Sequence, residues 1–405
     1  MQENEKILQY MDEMEPEFLE TFHYAHAHPE VSQKEFETTA YITRELEALG
    51  IEILDYGLET GVVGLLQGGK PGPCIGLRAD IDALPVTEDS TYEFPSENPG
   101  VMHACGHSIH YACLLGAAKI LSKMRDQIAG SVKFLFQPAE EINWGAKRMV
   151  QAGCLENPHV DAIFGMHNMP LIPSGTVAVK NGPLMAGVNR INIKITGKGG
   201  HGGIPQKNVD PIVAASTFIL AAQTVVARNI SPLHSAVVSI CNVRAGEGTV
   251  NNVTPEEVVM YGTVRSFDLE DTHLIEDRLR SLLESISEGY GCKGELEFIY
   301  ELPVTSGMAE LYDAAYQAVT AVGGKPVDPE PTTGGEDFSI FQEKTPGFFY
   351  WLGGGNPEKG CTYPWHSPHF KPDDAAIKLG AGVYAMSVFT GIEACQNGML
   401  SKKGE

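Results

Sequence analysis

The chain has 405 residues, of which 52 are acidic and 29 are basic, so its formal net charge at pH 7 is −23. This surplus argues against nucleic-acid binding, because phosphate recognition needs clustered lysine and arginine side chains. Hydrophobic residues make up 43% of the chain and charged residues 20%, which is typical of a globular protein and not of a disordered one. Because a single core usually stops growing at about 250–300 residues, we expect two domains.

The N-terminal segment and the cysteines point to a reducing compartment. The first twenty residues are polar and acidic, without the basic and apolar regions of a signal peptide. No run approaches about 18 uninterrupted apolar residues, so we predict no transmembrane helix. The eight cysteines form no CxxC pair and are too sparse for a disulfide scaffold. We therefore expect a cytoplasmic protein that does not bind a membrane.

Helical and strand-like segments alternate through the first half of the chain, as in an α/β fold. The predicted elements are helices at 3–27, 34–49, about 107–124 and around 145–153, and strands at 51–55, 62–67, 74–79, 131–137 and 160–166. The apolar runs are largely continuous, which favours a sheet covered on both faces.

From about residue 188 the pattern changes. The segments that follow have the order β-α-β-β-α-β, which is that of a ferredoxin-like sandwich. After residue 302 the α/β pattern returns with a helix in MAELYDAAYQAVTAVG and a last helix near 373–394. We therefore predict a discontinuous α/β domain of residues 1–186 and 302–405, and an inserted α+β domain of residues 187–301.

Side chains able to bind metal follow three of the predicted strands. Asp80 and Asp82 follow the strand at 74–79, Glu140 and Glu141 follow the strand at 131–137, and His167 follows the strand at 160–166. In open α/β sheets, ligands bind beyond the carboxyl ends of the strands. Any one of these residues alone would be read as structural, but together they favour a metal site.

Further candidate ligands lie in MHACGHSIH at 102–110. Cys105 and His107 stand at the start of a predicted helix, and Gly106 between them allows the backbone to turn both side chains inward. We expect the helix N-terminus to lower the pKa of Cys105. His103 and His110 are interpreted as supporting or structural residues.

Glu140 and Glu141 are adjacent, and neighbours on a regular strand point to opposite faces. Both can serve one centre only where the strand has ended, and Pro138 is expected to end it. One glutamate can then ligate a metal ion while the other accepts a proton from an activated water molecule.

Motifs spread over almost the whole chain resemble the peptidase M20 family of metallohydrolases. Within that family the chain is most similar to the amidohydrolase branch of N-acyl-amino-acid amidohydrolases, hippurate hydrolases and auxin-conjugate hydrolases. The matching segments are HAHPEVSQKEFET, GLRADIDALPV, MHACGH, FQPAEE, GMHN, GKGGHGG, NVTPEEVVMYGTVRSFD, GGEDFS and HSPHF. The fold implied is a zinc-peptidase-like α/β catalytic domain with an inserted ferredoxin-like lid, which in this family commonly mediates dimerisation.

The resemblance also implies roles for single residues. The implied ligands of a binuclear metal site are Cys105, His107, Glu141, His167 and His366. Glu140 resembles the general base, and His201 resembles the histidine that polarises the scissile carbonyl. Asn252 and Arg265 resemble residues that hold the carboxylate of the substrate, and Gly334–Phe338 resembles a loop that closes the site near His366.

The donor set and two departures from the family pattern leave details open. Mixed sulfur, nitrogen and oxygen ligands suit two divalent ions, Zn²⁺ or Mn²⁺, with Co²⁺ or Ni²⁺ as alternatives. Ser108 stands where the family usually has aspartate, which could alter metal affinity or choice. Gln206 stands where a histidine is common, which could alter the substrate pocket.

We therefore expect a metal-dependent amidohydrolase that converts an N-acyl amino acid to a carboxylic acid and a free amino acid. We also expect the protein to form a homodimer or a higher homo-oligomer through the lid domain. One alternative is a dipeptidase or carboxypeptidase-like metallopeptidase, and another is a non-catalytic binding protein on the same scaffold. A zinc deaminase and a serine hydrolase are disfavoured, because the sequence lacks their signature motifs.

Overall fold

The computed structural model describes residues 2–248 and 250–398. The helices are α1 (Glu3–Ala27), α2 (Phe36–Ala48), α3 (His107–Lys123), α4 (Gly145–Gln151), α5 (Pro211–Asn229), α6 (Leu269–Gly289), α7 (Ala309–Ala321), α8 (Phe338–Gln342) and α9 (Ala376–Gln396). The strands are β1 (Glu52–Ile53), β2 (Val62–Gln67), β3 (Lys70–Asp80), β4 (Ala129–Gln137), β5 (Ala162–Pro173), β6 (Thr176–Ala178), β7 (Gly182–Met185), β8 (Gly187–Thr196), β9 (Gly200–His201), β10 (Ala236–Ala245), β11 (Val253–Thr254), β12 (Glu257–Ser266), β13 (Lys293–Leu302), β14 (Thr305–Gly307), β15 (Lys325–Val327) and β16 (Gly347–Gly355).

The chain divides into two compact units. The first consists of Met1–Leu184, Thr305–Glu330 and Glu336–Glu405, and the second of Met185–Val304 and Pro331–Gly335. The first unit is α/β and the second is α+β, so the predicted fold class is confirmed. The return of Pro331–Gly335 to the second unit was not indicated by the sequence.

A mixed sheet forms the centre of the first unit. Within the described residues its strand order is β1-β2-β4-β3-β5-β16-β6-β15. Strand β3 pairs in parallel with β4 and with β5, and β5 pairs in parallel with β16. The carboxyl ends of these four neighbouring strands therefore lie at one edge of the sheet, which is where a ligand site is expected in such folds.

Apolar side chains at helical spacing hold the helices of the first unit against this sheet. In α1, Met11, Met14, Phe18 and Phe22 are buried at intervals of three or four residues, which is one face of a helix. Helix α9 is buried around most of its circumference, as its nearly continuous apolar sequence requires. Full burial of each large apolar side chain contributes about 1.5–3 kcal/mol.

The second unit is a sheet covered by two helices. Its main sheet has the order β10-β12-β8-β13 with antiparallel pairing throughout. Ile191, Ile193 and Ile195 alternate along β8 and are buried in a core that includes residues of α5 and α6. The predicted order β-α-β-β-α-β is thus the order observed for β8, α5, β10, β12, α6 and β13.

Helix α5 is the one described helix that is long and apolar enough to cross a membrane by length and composition. It is also the core helix of the second unit, since Ala214, Phe218, Ala222 and Val225 pack in the buried cluster of that unit. Asp210 caps its N-terminus by accepting a hydrogen bond from the N–H of Ile212 at 2.8 Å. These contacts are those of a core helix in a globular unit.

Several short strands were not predicted, and two longer strands of the central sheet also differ from the sequence prediction. Strand β16, in the run GFFYWLGGG, was not predicted, although its residues are almost all buried beside β5. Strand β5 extends to Pro173 instead of ending at residue 166, so His167 lies within the strand and pairs with Trp351.

Candidate metal centre and active site

The candidate metal ligands lie at or near the carboxyl ends of neighbouring strands in the first unit. Asp80 is the last residue of β3 and pairs with Gln137, the last residue of β4. Glu140 and Glu141 follow three and four residues later, and His167 lies on β5, the neighbour of β3 on its other side. Parallel pairing therefore brings three segments that are distant in sequence to the same edge of the sheet.

The turn after β4 presents the two glutamates. Pro138 follows the last strand residue, and Ala139 has a left-handed backbone with φ of 52°. Few residues with a Cβ atom adopt this conformation, and those that do cluster at functional sites. The ladder has ended at this point, so Glu140 and Glu141 are released from the strict alternation of a strand, as the sequence predicted.

Cys105 and His107 reach the same place from the start of α3. Gly106 between them has φ of 91°, and a Cβ atom at this position would lie 2.3 Å from Nδ2 of Asn168. Glycine is therefore required here both for the left-handed backbone and for the close approach to Asn168. The Sγ atom of Cys105 lies 3.4 Å from Nε2 of His167.

The remaining distances connect all five predicted ligands. The Nε2 atom of His107 lies 3.7 Å from Glu141 Oε1 and 4.0 Å from Glu140 Oε2, and the Nε2 atom of His366 lies 3.5 Å from Glu141 Oε2. Within the described residues, three of the five sets of donor atoms that lie within 4.8 Å of one another consist of these residues: Cys105 with His107 and His167, Cys105 with Glu141 and His366, and His107 with Glu140 and Glu141.

The histidines are oriented for ligation by hydrogen bonds at their other ring nitrogens. Nδ1 of His107 lies 3.2 Å from Asp82 Oδ1, and Nδ1 of His167 lies 2.7 Å from the carbonyl oxygen of Asn168. A proton on each Nδ1 leaves the Nε2 lone pair free for a metal ion, which is the usual supporting arrangement at such sites. Nε2 of His107 and Oε1 of Glu141 are buried without a hydrogen-bond partner. The residues thus fit a pair of divalent ions.

Burial and mutual repulsion of the carboxylates shift the pKa values in the metal-free site. Burial raises the pKa of Glu140 well above its usual range, and Glu336, Asp337 and Glu141 add to the effect. Burial likewise raises the pKa of Glu141 to about 7, although His107 opposes the shift. Burial alone would lower the pKa of His107, but Asp80 and Asp82 raise it to about 10. Bound divalent cations would offset the negative charge that ionised carboxylates concentrate at this place.

The predicted pKa of Cys105 was wrong for the metal-free chain. Cys105 is buried, and burial raises its pKa well above the ordinary value, with Glu141 and Glu140 adding to the shift. The field of the helix N-terminus that the sequence suggested does not overcome these effects. A bound cation would reverse the sign, because coordination deprotonates a thiol.

His110 and Asp80 are saturated by protein contacts. The Nδ1 atom of His110 donates to Asp80, and its Nε2 atom accepts from the backbone N–H of Asn168 at 2.8 Å. Asp80 also forms an ion pair with Arg78 at 3.0 Å. Both residues are therefore supports and not ligands, as was expected for His110.

The fully buried Arg78 was missed in the sequence. Its guanidinium group forms ion pairs with Asp80, Glu336 and Asp337 at 2.9–3.0 Å and donates to the side chain of Gln137. An arginine inside an otherwise apolar strand, two residues before Asp80, was the available signal. Glu336 and Asp337, which were assigned to a closing loop, are buried against this arginine.

The second unit contains the other three predicted site residues. His201 is exposed on β9, and its Nδ1 atom accepts a hydrogen bond from the N–H of Gly203 at 2.9 Å. Asn252 is also exposed. It lies next to His201 in space, since its backbone carbonyl accepts a hydrogen bond from the N–H of Gly202 at 2.8 Å. Arg265 lies on β12, and its Nη1 atom is buried without a hydrogen-bond partner.

A parallel sheet edge that gathers sulfur, nitrogen and oxygen donors around an additional glutamate is characteristic of a binuclear metallohydrolase. Residues 76–389 match the family model for Peptidase family M20/M25/M40, and the chain belongs to this family. The predicted family is therefore confirmed, as is the prediction of a metal-dependent hydrolase of amide bonds.

Individual relatives agree with this assignment. The chain is 46% identical to N-acetylcysteine deacetylase of Bacillus subtilis, over 89% of this chain and 93% of that protein. It is 40% identical to thermostable carboxypeptidase 2 of Saccharolobus solfataricus, over 94% of this chain and 97% of that protein. A solved structure of a dinuclear metal binding peptidase of the M20 family, also from Bacillus subtilis, matches with a TM-score of 0.85 and 40% identity, covering 95% of this chain and 99% of that one. With the donor groups described above, this relative supports two divalent metal ions here.

Proposed function

We propose that this amidohydrolase cleaves the amide bond of N-acyl amino acids, giving a carboxylic acid and a free amino acid. The observation that carries the proposal is the convergence of five donor side chains around Glu140 in a chain that is 46% identical to an N-acetylcysteine deacetylase. Short acyl groups such as acetyl are the first substrates to test.

The proposed metal ligands are Cys105, His107, Glu141, His167 and His366. When bound, two divalent cations would polarise the scissile carbonyl and make a water molecule more acidic. Zn²⁺ and Mn²⁺ are the proposed ions, with Co²⁺ and Ni²⁺ as alternatives, since this mixed donor set accepts all four.

Glu140 is the proposed general base. Its carboxylate lies at 4.0 Å from His107 and is close to the ligands, while Glu141 makes the shorter contacts with His107 and His366. Glu140 accepts a proton from the attacking water molecule and then delivers it to the leaving amine. A glutamate carboxylate can both take a proton and return it, which are the two tasks of general acid–base catalysis.

Residues of the second unit are proposed to bind the substrate. The hydrogen bond from Gly203 to Nδ1 of His201 leaves the proton of a neutral ring on Nε2, where it can be donated to the carbonyl oxygen that becomes negative. Arg265, with a buried and unpartnered Nη1, is proposed to bind the substrate carboxylate together with Asn252. We further propose that residues 187–301 act as a lid and form a homodimer in the cytoplasm.

Carboxypeptidase activity is the second candidate, and the relative from Saccharolobus solfataricus supports it. Both activities cleave an amide next to a free carboxylate, so the same metal ligands and the same arginine would serve either. A non-catalytic binding protein is less well supported, because the ligands and Glu140 are all present and only the departure at Ser108 favours it.

A substrate screen separates these functions. Purified full-length protein is loaded with Zn²⁺, Mn²⁺ or Co²⁺ and assayed with acetyl-, benzoyl- and longer acyl-amino acids, and with free and N-blocked dipeptides. We expect the largest kcat/KM for an acyl-amino acid. A larger value for dipeptides would assign a peptidase, and no turnover of either class with any of the metals would support a binding protein.

A further inference from the structure

The segment from His28 to Glu35 carries a motif that matches the family, yet none of its residues takes part in the chemistry proposed above. Glu35 in this segment is fully buried. Its Oε1 atom accepts hydrogen bonds from the backbone N–H of Gln33 at 3.0 Å and from that of Ala139 at 2.8 Å. The second hydrogen bond joins residues 104 positions apart and ends directly beside Glu140.

Ala139 is the residue on which the geometry of the glutamate turn depends. Its left-handed backbone, with φ of 52°, is unfavourable for a residue with a side chain and must be held by its surroundings. On one side, its carbonyl accepts hydrogen bonds from the N–H groups of Trp144 and Gly145 at 3.2 and 3.1 Å. On the other side, its N–H is held by Glu35, and Pro138 before it has no N–H to offer.

A second buried carboxylate holds the other end of the same turn. Oδ2 of Asp82 accepts a hydrogen bond from the N–H of Glu141 at 3.1 Å and another from Ser32 at 2.6 Å. Carboxylates therefore accept hydrogen bonds from the backbone N–H groups on both sides of Glu140. Glu35 binds the preceding N–H group, and Asp82, which Ser32 contacts, binds the following one. This arrangement fixes the direction in which the Glu140 side chain leaves the chain.

The side chain of Glu35 is not needed to start helix α2, which follows it. Glu35 occupies the N-cap position but makes no side-chain capping hydrogen bond. Glu30 performs that task, because its two carboxylate oxygens accept hydrogen bonds from the N–H groups of Glu37 and Thr38 at 3.2 and 2.8 Å. The two glutamates of this segment thus have separate partners. Glu30 accepts hydrogen bonds from the start of α2, and Glu35 accepts one from the turn that carries Glu140.

We propose that Glu35 is a positioning residue, which acts through the N–H of Ala139 to hold Glu140 where it can accept a proton. The role rests on the proposed function of Glu140. What Glu35 supplies in this proposal is an acceptor oxygen for the N–H of Ala139, and the side-chain amide of glutamine also has such an oxygen.

The test compares four variants of the full-length chain: Glu35→Ala, Glu35→Gln, Glu35→Asp and, as the matched control, Glu30→Ala. For each, kcat and KM for an N-acetyl amino acid are measured on the metal-loaded enzyme. Hydrogen–deuterium exchange of the peptide that covers residues 138–145 is measured on the metal-free protein, which gives a readout independent of activity.

We expect Glu35→Ala to lower kcat by about 100-fold with little change in KM, because a displacement near 1 Å of a catalytic group has an effect of this order. The backbone amides of residues 138–145 should also exchange faster in this variant than in the wild type. Glu35→Gln retains an acceptor oxygen at the same reach, so its kcat should stay within about fivefold of wild type. Glu35→Asp, which is one methylene shorter, should be impaired, while Glu30→Ala should speed exchange at the start of α2 and leave kcat unchanged.

Wild-type kcat and turn exchange in Glu35→Ala would overturn the proposal, as would equal kcat values for Glu35→Gln and Glu35→Asp. If Glu35→Ala does not fold, that second comparison decides alone. A loss of kcat in Glu30→Ala equal to that in Glu35→Ala would also overturn it, since any damage to the segment would then suffice. If the wild type hydrolyses no acyl-amino acid, the proposed function fails, and turn exchange still shows whether Glu35 holds the turn.

Discussion

The two adjacent glutamates have different surroundings, although they share one turn. Glu141 lies 3.7 Å from His107 and 3.5 Å from His366, so its oxygens are placed among the metal ligands. Glu140 has a carboxylate oxygen within 4.8 Å of Glu336 and Asp337, whose charges contribute to its raised pKa. The proposed ligand and the proposed base therefore differ in position and not in chemical type.

Glu140→Gln should retain both metal ions and lose turnover by a factor of about 10²–10⁴, which is the usual contribution of a general base. The amide has nearly the shape of the carboxyl group but does not accept the proton. Metal content by elemental analysis and kcat on the best substrate check this result. Glu141→Gln is the matched control and should lose metal as well as activity; a Glu140→Gln variant with wild-type kcat would contradict the assignment.

Metal binding at pH 7 should release protons. In the metal-free protein the pKa of Glu141 is raised to about 7, that of His107 to about 10 and that of Cys105 above its usual value, so these groups hold protons that coordination displaces. Apparent metal affinity should therefore fall as pH drops below about 10, where His107 takes up its proton, and fall more steeply below about 7, where Glu141 does so as well. Calorimetric titration in buffers of different ionisation enthalpy measures the release, and buffer-independent heats would contradict it.

The positions of the site residues could be predicted from sequence, but their protonation states could not. Cys105, Glu141 and His167 were recognisable as candidate ligands from local pattern alone, although His167 lies within β5 and not after it. The wrong pKa for Cys105 arose because its burial among carboxylates depends on segments far along the chain. The contact of Glu35 with Ala139 was invisible for the same reason.

At the scale of elements, the buried carboxylate of Asp373 stabilises the segment that leads into helix α9. Asp373 accepts hydrogen bonds from Lys359, Asn356 and the N–H of Ala375. Burial alone would raise the pKa of Asp373, but these hydrogen bonds outweigh it and lower the pKa to about 2. The stabilisation is therefore present above about pH 4, the ordinary pKa of aspartate, and is lost as pH falls toward 2.

Asp373→Asn should lower the free energy of unfolding at pH 7 by up to about 2 kcal/mol, and the difference from wild type should shrink as pH falls from 4 toward 2. Urea unfolding of the variant and the wild type at several pH values measures this difference in the free energy of unfolding. Asp374→Asn, which alters a more exposed partner of the same lysine, is the control and should cost less than about 1 kcal/mol. A difference for Asp373→Asn that does not change with pH would contradict the ionised role of this residue.

Periodicity predicted most elements because alternation and helical spacing are local properties. The strands of the second unit alternate buried and exposed residues, and their order was recognised correctly. Strand β16 was missed because a short continuous apolar run does not by its periodicity distinguish a buried strand from a buried helical segment. The length of β5 depends on its pairing with β16, so its end could not be predicted either.

At the scale of the whole molecule, the five proposed metal ligands belong to the first unit and the proposed substrate-binding residues to the second. The −23 net charge makes a local cation such as Arg265 more necessary for an anionic substrate, since the remaining surface would repel it. The proposed mechanism therefore assigns roles to residues of both units.

His201→Ala should leave metal content unchanged and lower kcat by about 10²–10³-fold, the typical effect of removing one donor to a developing oxyanion. His234→Ala is a matched control, because His234 lies in the same unit and pairs with Asp271 at 2.7 Å. That variant should keep wild-type kcat. Equal kcat values for His201→Ala and the wild type would remove the proposed role.

The most direct test of the central claim is a metal titration of activity. The wild-type protein is stripped with a chelator, and hydrolysis of an N-acetyl amino acid is followed as Zn²⁺ or Mn²⁺ is added back. We predict no turnover without metal and a rise to a plateau at two ions per chain, with Cys105→Ala failing to reach it. Full turnover by the stripped protein, or a plateau at one ion, would contradict the account.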